Sequence, residues 1–77
     1  MKGYFMDEKR MRVAFDFKTK FYYIQCYNGT HWNDIISYEP AEDDYNYVDC
    51  KIVADIAKMI SQGFVFDSLD VVTLNAD

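Results

Sequence analysis

By type, the residues best suited to chemistry in this chain are one histidine, two cysteines and thirteen Asp and Glu residues. A nucleophile and base pair would be Cys26 with His31, because a two-residue loop at Asn28-Gly29 sets them across a hairpin from each other. Such a pair needs an orienting third group and an oxyanion site, and the sequence offers neither, so His31 is expected to be a surface residue. Zinc wants three or four clustered ligands, whereas Cys26, His31 and Cys50 fall in no standard spacing. Glu42, Asp43, Asp44 and Asp49 supply oxygens for calcium, but a helix-flanked calcium loop also needs a central Gly and a terminal Glu, and both are missing. Paired carboxylates for glycoside hydrolysis would need a cleft that a chain this short can hardly build. Asn28-Gly29-Thr30 matches a glycosylation sequon but is better explained as a turn, and the three glycines are too scattered to cradle a phosphate. The expectation is a protein that is not an enzyme and uses no metal or cofactor.

What remains is a surface. Residues 37–49 hold five carboxylates (Glu39, Glu42, Asp43, Asp44 and Asp49) and three tyrosines (Tyr38, Tyr45 and Tyr47), with no Lys or Arg among them. Carboxylates spaced along a fixed surface can stand in for phosphates and accept charge-assisted hydrogen bonds from Arg or Lys. Tyrosines add amphipathic contact area at low entropic cost. These eight residues are the candidate partner-binding site. The competing explanation is a solvated loop that keeps an aromatic-rich protein in solution.

Charge is unevenly distributed along the chain. The net charge is −5; residues 1–20 carry six basic and three acidic groups, residues 21–50 carry six acids and no base, and residues 51–77 carry two bases and four acids. Such asymmetry suggests an electrostatic face meant for a partner. The overall sign opposes non-specific binding to nucleic acid or anionic lipid. Seventy-seven residues make a single domain, 1–77, near the lower size for a self-sufficient core; an apolar content of 51% and an aromatic content of 18% compensate. Two cysteines without a motif suggest a reducing cytoplasm and free, mostly buried thiols, with a single disulfide as the alternative. No apolar run approaches a membrane span, and the early acids Asp7 and Glu8 do not suit a signal peptide. A complete cytoplasmic protein is expected.

The elements that must position this surface follow from periodicity. Tyr4 to Met6 suggests a short edge strand and Asp7 to Arg10 a charged turn. Met11, Val13, Phe15 and Phe17 alternate with Arg12, Ala14, Asp16 and Lys18, which predicts a strand with one buried face. A tight turn at Lys18-Thr19 then sets Phe15 opposite Tyr22, Val13 opposite Ile24 and Met11 opposite Cys26. The other face of the second strand shows Phe21, Tyr23, Gln25 and Tyr27, more aromatic surface than a solvent face needs. Asn28-Gly29 suggests a type I′ turn. A third strand covers His31 to Tyr38, with Ile35 and Ile36 competing for the core and a bulge as one resolution. Pro40 ends it. From Tyr47 the period becomes helical, with Val48, Ile52, Val53, Ile56, Met59 and Ile60 in one stripe. Asn46 is the expected N-cap, Asp49 a first-turn acid and Gly63 the C′ residue. Lys51, Asp55, Lys58 and Gln62 are assigned to water. Phe64 to Phe66 is read as a buried connection and Leu69 to Leu74 as a last strand. The predicted fold is α+β, a small, mostly antiparallel sheet packed on one helix in the order βββαβ.

A very small, acidic, single-domain α+β chain with Glu39, Glu42, Asp43, Asp44 and Asp49 around tyrosines resembles phage-encoded inhibitors that imitate DNA, anti-CRISPR proteins among them. The resemblance lies in size, charge and layout, with no specific motif. It implies a basic nucleic-acid-handling protein, such as a CRISPR effector, as partner, in the cytoplasm of the host cell, with no direct binding of nucleic acid and no membrane. The basic N-terminal segment departs from that pattern and supports an alternative. Arg10, Arg12, Lys18 and Lys20 lie beside Tyr23 and Tyr27, and single-strand binders pair basic grooves with aromatic platforms. A third reading is a homodimeric adaptor in which a second copy covers the aromatic sheet face; the favoured inhibitor would be a monomer or homodimer.

Overall fold

A computed structural model describes residues 9–40 and 45–76, with the backbone alone over 45–49. The elements are β1 (Arg10–Asp16), β2 (Tyr22–Tyr27), β3 (Trp32–Tyr38), α1 (Tyr45–Ser61), β4 (Val65–Phe66) and β5 (Val72–Leu74). They form the expected α+β fold, one mixed sheet with one helix. The sheet order is β3-β2-β1-β4, and β5 also pairs with β1. β5 is the end of the expected last strand and pairs with β1 at Ala14 to Asp16, whereas the stretch expected to be a buried connection supplies β4, which pairs at Arg10 and Met11, both parallel, with Val65 exposed. Between them, 67–71 leaves the sheet, with Leu69 84% exposed. The expected N-terminal strand at Tyr4 to Met6 lies outside the described residues. Arg10, expected in a charged turn, opens β1 instead.

The β1–β2 register is the predicted one, with Met11 opposite Cys26, Val13 opposite Ile24 and Phe15 opposite Tyr22. Its connection is wider than a two-residue turn: the Lys20 amide donates to the Asp16 carbonyl, and Lys20 sits at φ 69°. Phe17 is therefore in the turn and half exposed, not on the buried face. The Asp16 carboxylate organises this corner. Its Oδ1 accepts the Lys18 amide at 2.8 Å and the Thr19 amide at 3.3 Å, and its Oδ2 accepts Asn75 Nδ2 at 3.1 Å. Burial alone would raise its pKa, but these donors outweigh that and hold it below the usual carboxylate value.

The second connection is also not the type I′ turn. Asn28 is absent from the residues at positive φ, while Gly29 adopts φ 104°. Four residues separate Tyr27 from its partner Trp32. The loop is built on the Asn28 side chain, whose Oδ1 accepts the amides of Thr30 and His31 and the Thr30 hydroxyl; a short polar side chain thus mimics a backbone turn. β3 resolves its two isoleucines by a bulge. Ile24 faces Ile36 and Gln25 faces Asp34, so Ile35 is the extra residue and is turned out. Ile36 packs on the core, and Trp32 lies on the opposite face.

The helix begins at Tyr45, two residues earlier than predicted, so Asn46 is inside it and not its cap, and Asp49 falls beyond the first turn. Its end is as expected. Gly63 at φ 100° donates to the Ile60 carbonyl and Phe64 to the Met59 carbonyl, which is the Schellman pattern. Lys58 complements the negative end of the helix. The core comprises Met11, Ile24, Tyr38, Ile52 and Met59, with Val13, Tyr22, Cys26, Ile36, Ile56, Phe64 and Phe66 packed around them. Val53 and Ile60, expected in the buried stripe, are exposed. The buried row is narrower than the apolar stripe, since a helix laid on a small sheet covers only the rows nearest the strands. No helix among the described residues is long and apolar enough to cross a membrane.

Candidate functional site

The predicted binding residues do not form one exposed face. Tyr38 is buried, 6% exposed, and its hydroxyl donates to Asp55 Oδ2 at 2.6 Å. Burial, then the hydrogen bond to Asp55 and its negative charge, push the phenol pKa well above its ordinary value. Tyr38 is therefore a core residue and not a contact, and Asp55 faces the sheet, not water. Glu39 is exposed directly after it. Glu42, Asp43 and Asp44 lie outside the described residues. Tyr45, Tyr47 and Asp49 are placed by backbone on the first turns of α1. The Tyr38–Asp55 bond ties the end of β3 to the middle of the helix. β3, the strand that leads into the acidic connection, is a sheet edge and carries no cation.

The catalytic pairing of Cys26 with His31 does not form. Cys26 stands opposite Asn33, and His31 is in the loop. Both cysteines are free. Cys26 is half-buried, which raises its pKa and disfavours the thiolate. Cys50 is exposed, against the expectation of mostly buried thiols. Among the described residues no group of His, Cys, Asp and Glu is placed to hold a metal ion.

Among the described residues, the sheet face turned away from the helix holds a continuous polar arrangement. Arg12 Nε donates to Gln25 Oε1 at 2.8 Å, and Gln25 Nε2 donates to Asp34 Oδ1 at 2.8 Å, which links β1, β2 and β3. Gln25 is only 5% exposed, so satisfying both ends of its amide matters. The Arg12 guanidinium lies 4.2 Å from the Trp32 ring centroid and that of Arg10 4.8 Å from Tyr27. The Tyr27 and Trp32 rings meet at 5.2 Å. Arg10 also donates to Asp67 through Nε and a terminal nitrogen. Phe21 and Tyr23 stack with centroids 6.2 Å apart. Sequence reasoning found the surplus of aromatic rings here but not what covers two of them. The signal was available: Arg12 stands one residue from Val13 on the face that β2 fills with Gln25 and tyrosines.

Compared with known proteins, the chain matches no family model, no curated protein and no solved structure.

Proposed function

We propose that this protein is a non-enzymatic binding module whose acidic edge, β3 with its connection to α1, occupies the basic nucleic-acid-binding site of another protein in the manner of a DNA mimic. The observation that supports this most directly is the placement of the cation-free segment. Residues 21–50 contain no Lys or Arg, and they run along β2, the edge strand β3 and the start of α1. Glu39 is exposed directly after the buried Tyr38, and in the sequence Glu42, Asp43 and Asp44 follow it without an intervening Lys or Arg. The negative sign of this stretch speeds encounter with a positive groove. Tyr45, Tyr47 and Asp49 stand by backbone on the first turns of α1, and Tyr38 ties the end of β3 to that helix.

The test is competition. A basic nucleic-acid-handling protein captured at low salt should lose its DNA or RNA when this protein is added. The triple variant Glu39→Lys, Asp43→Lys and Asp44→Lys should bind it more than about tenfold more weakly, because close charge pairs across an interface are coupled by about 1.5 kcal/mol or more. Equal competition by the variant would end this reading. Of the β2 rings that a second copy would cover in the homodimer reading, Tyr27 already has the Arg10 guanidinium over it.

A further inference from the structure

We propose that the open face of β1 and β2 is a track for a short single strand of nucleic acid, with a phosphate held by Arg12 and bases stacked on Tyr23 and Phe21. Arg12 is fixed from two directions, by its Nε bond to Gln25 and by the Trp32 ring beneath it. Its two terminal nitrogens make no hydrogen bond and it forms no ion pair among the described residues. A guanidinium held flat with its fork unused matches the oxygens of a phosphate, and little side-chain freedom remains to be lost on binding.

One rung further along the sheet the surface changes character. Ala14, fully buried and small, stands opposite Tyr23. It leaves the Tyr23 and Phe21 pair as the prominent apolar feature between Arg12 and the hairpin tip. These two rings are stacked at an interplanar angle of 24°. Aromatic side chains on a sheet accept any base by its π-face. Beyond them, at the tip, Lys18 and Lys20 are exposed and likewise without an ion pair among the described residues. Lys20 rests 3.8 Å from the Phe17 ring centroid. Cation, paired rings, cations is the alternation that a strand of phosphates and bases presents. Asp34, bound to Gln25, and Asp67, bound to Arg10, border the track on the β3 and β4 sides. This proposal does not depend on the acidic edge, which lies along β3.

The experiment is fluorescence anisotropy of labelled eight-nucleotide oligo-U and oligo-T with the intact protein, at several salt concentrations. Binding at low salt should weaken with a log–log slope near −2, as about three phosphate contacts on a single strand require. Tyr23→Ala should weaken it about fivefold or more. The pair Lys18→Glu and Lys20→Glu, at exposed turn positions, should abolish most of the salt dependence with the circular dichroism melt unchanged. That pair decides the matter if Tyr23→Ala fails to fold. No binding of either oligomer, binding unchanged in the lysine pair, or tighter capture of a poly-glutamate peptide by the same face would each overturn the proposal.

Discussion

The two faces of the β1–β2–β3 sheet are made from alternate residues of the same strands and are closed in different ways. On one, Met11, Ile24, Ile36 and Tyr38 meet Ile52, Ile56 and Met59 of the helix, and burial of apolar area is the main stabilising term. On the other there is no second layer among the described residues. Arg12 and Arg10 lie over Trp32 and Tyr27, and Gln25 joins β1 to β3. Long side chains cover rings with their own apolar stems and keep their charge at the surface. The difference teaches that an aromatic sheet face can be closed without a partner element, yet still leave hydrogen-bonding capacity for a ligand. Only the helix-covered face should carry a large share of stability.

The largest effect should therefore come from Met11→Ala on the covered face. Met11 is fully buried, and truncation of such a side chain costs about 2–5 kcal/mol through lost transfer energy and the cavity left behind. Urea unfolding followed by circular dichroism measures it. A loss under about 1 kcal/mol would mean that the helix does not seal this face. Tyr38→Phe is the next in size, at about 1–2 kcal/mol, because it removes a hydrogen bond to a charged acceptor and leaves Asp55 facing the core edge. On the open face, Arg12→Ala should cost about 1 kcal/mol, from the ring contact and the Gln25 acceptor it leaves unpaired. A cost equal to that of Met11→Ala would erase the contrast between the faces.

Acid should weaken the hairpin corner selectively. The folded state holds the Asp16 carboxyl below its ordinary pKa, so the unfolded chain takes up its proton first as pH falls. Its contribution is present above the ordinary carboxylate range and is lost as pH drops through the folded value. Unfolding midpoints measured between neutral pH and pH 3 should fall, and Asp16→Asn should flatten that fall.

These outcomes bear on what the sequence could reveal. Strict alternation from Met11 to Phe15 and in β2 specified both the register and the covered face, because a one-residue slip would have moved every apolar residue to the wrong side. The C-cap at Gly63 was equally legible, since positive φ there favours one residue type. Where side chains decide the backbone, the reading failed. Asn28 builds a four-residue loop with its own carboxamide in place of the expected two-residue turn, whereas the bulge in β3 was an open option in the sequence and the pairing of Ile24 with Ile36 makes Ile35 the extra residue. Tyr38 and Asp55 looked like a surface tyrosine and a solvated acid. Only the crossing of α1 over β3 brings them together, and no local pattern encodes a pair seventeen residues apart. For the candidate site, the acidic composition was plain in the sequence, but the burial of Tyr38 was not.

The smallest effect is expected at the helix flank. Val53, Ile56 and Ile60 all belong to the periodic stripe, yet Ile56 packs against the core whereas Val53 is 64% and Ile60 51% exposed. Helical periodicity reports an apolar side of the helix, and the width of the sheet beneath decides how much of that side is covered. Val53→Gln and Ile60→Gln should each change stability by no more than about 0.5 kcal/mol, the range of ordinary surface substitutions. Ile52→Ala, one residue from Val53 but buried, should cost about 2–5 kcal/mol. A loss above about 1 kcal/mol for Ile60→Gln would show that this flank is covered in solution, and the helix would then have two buried rows in place of one.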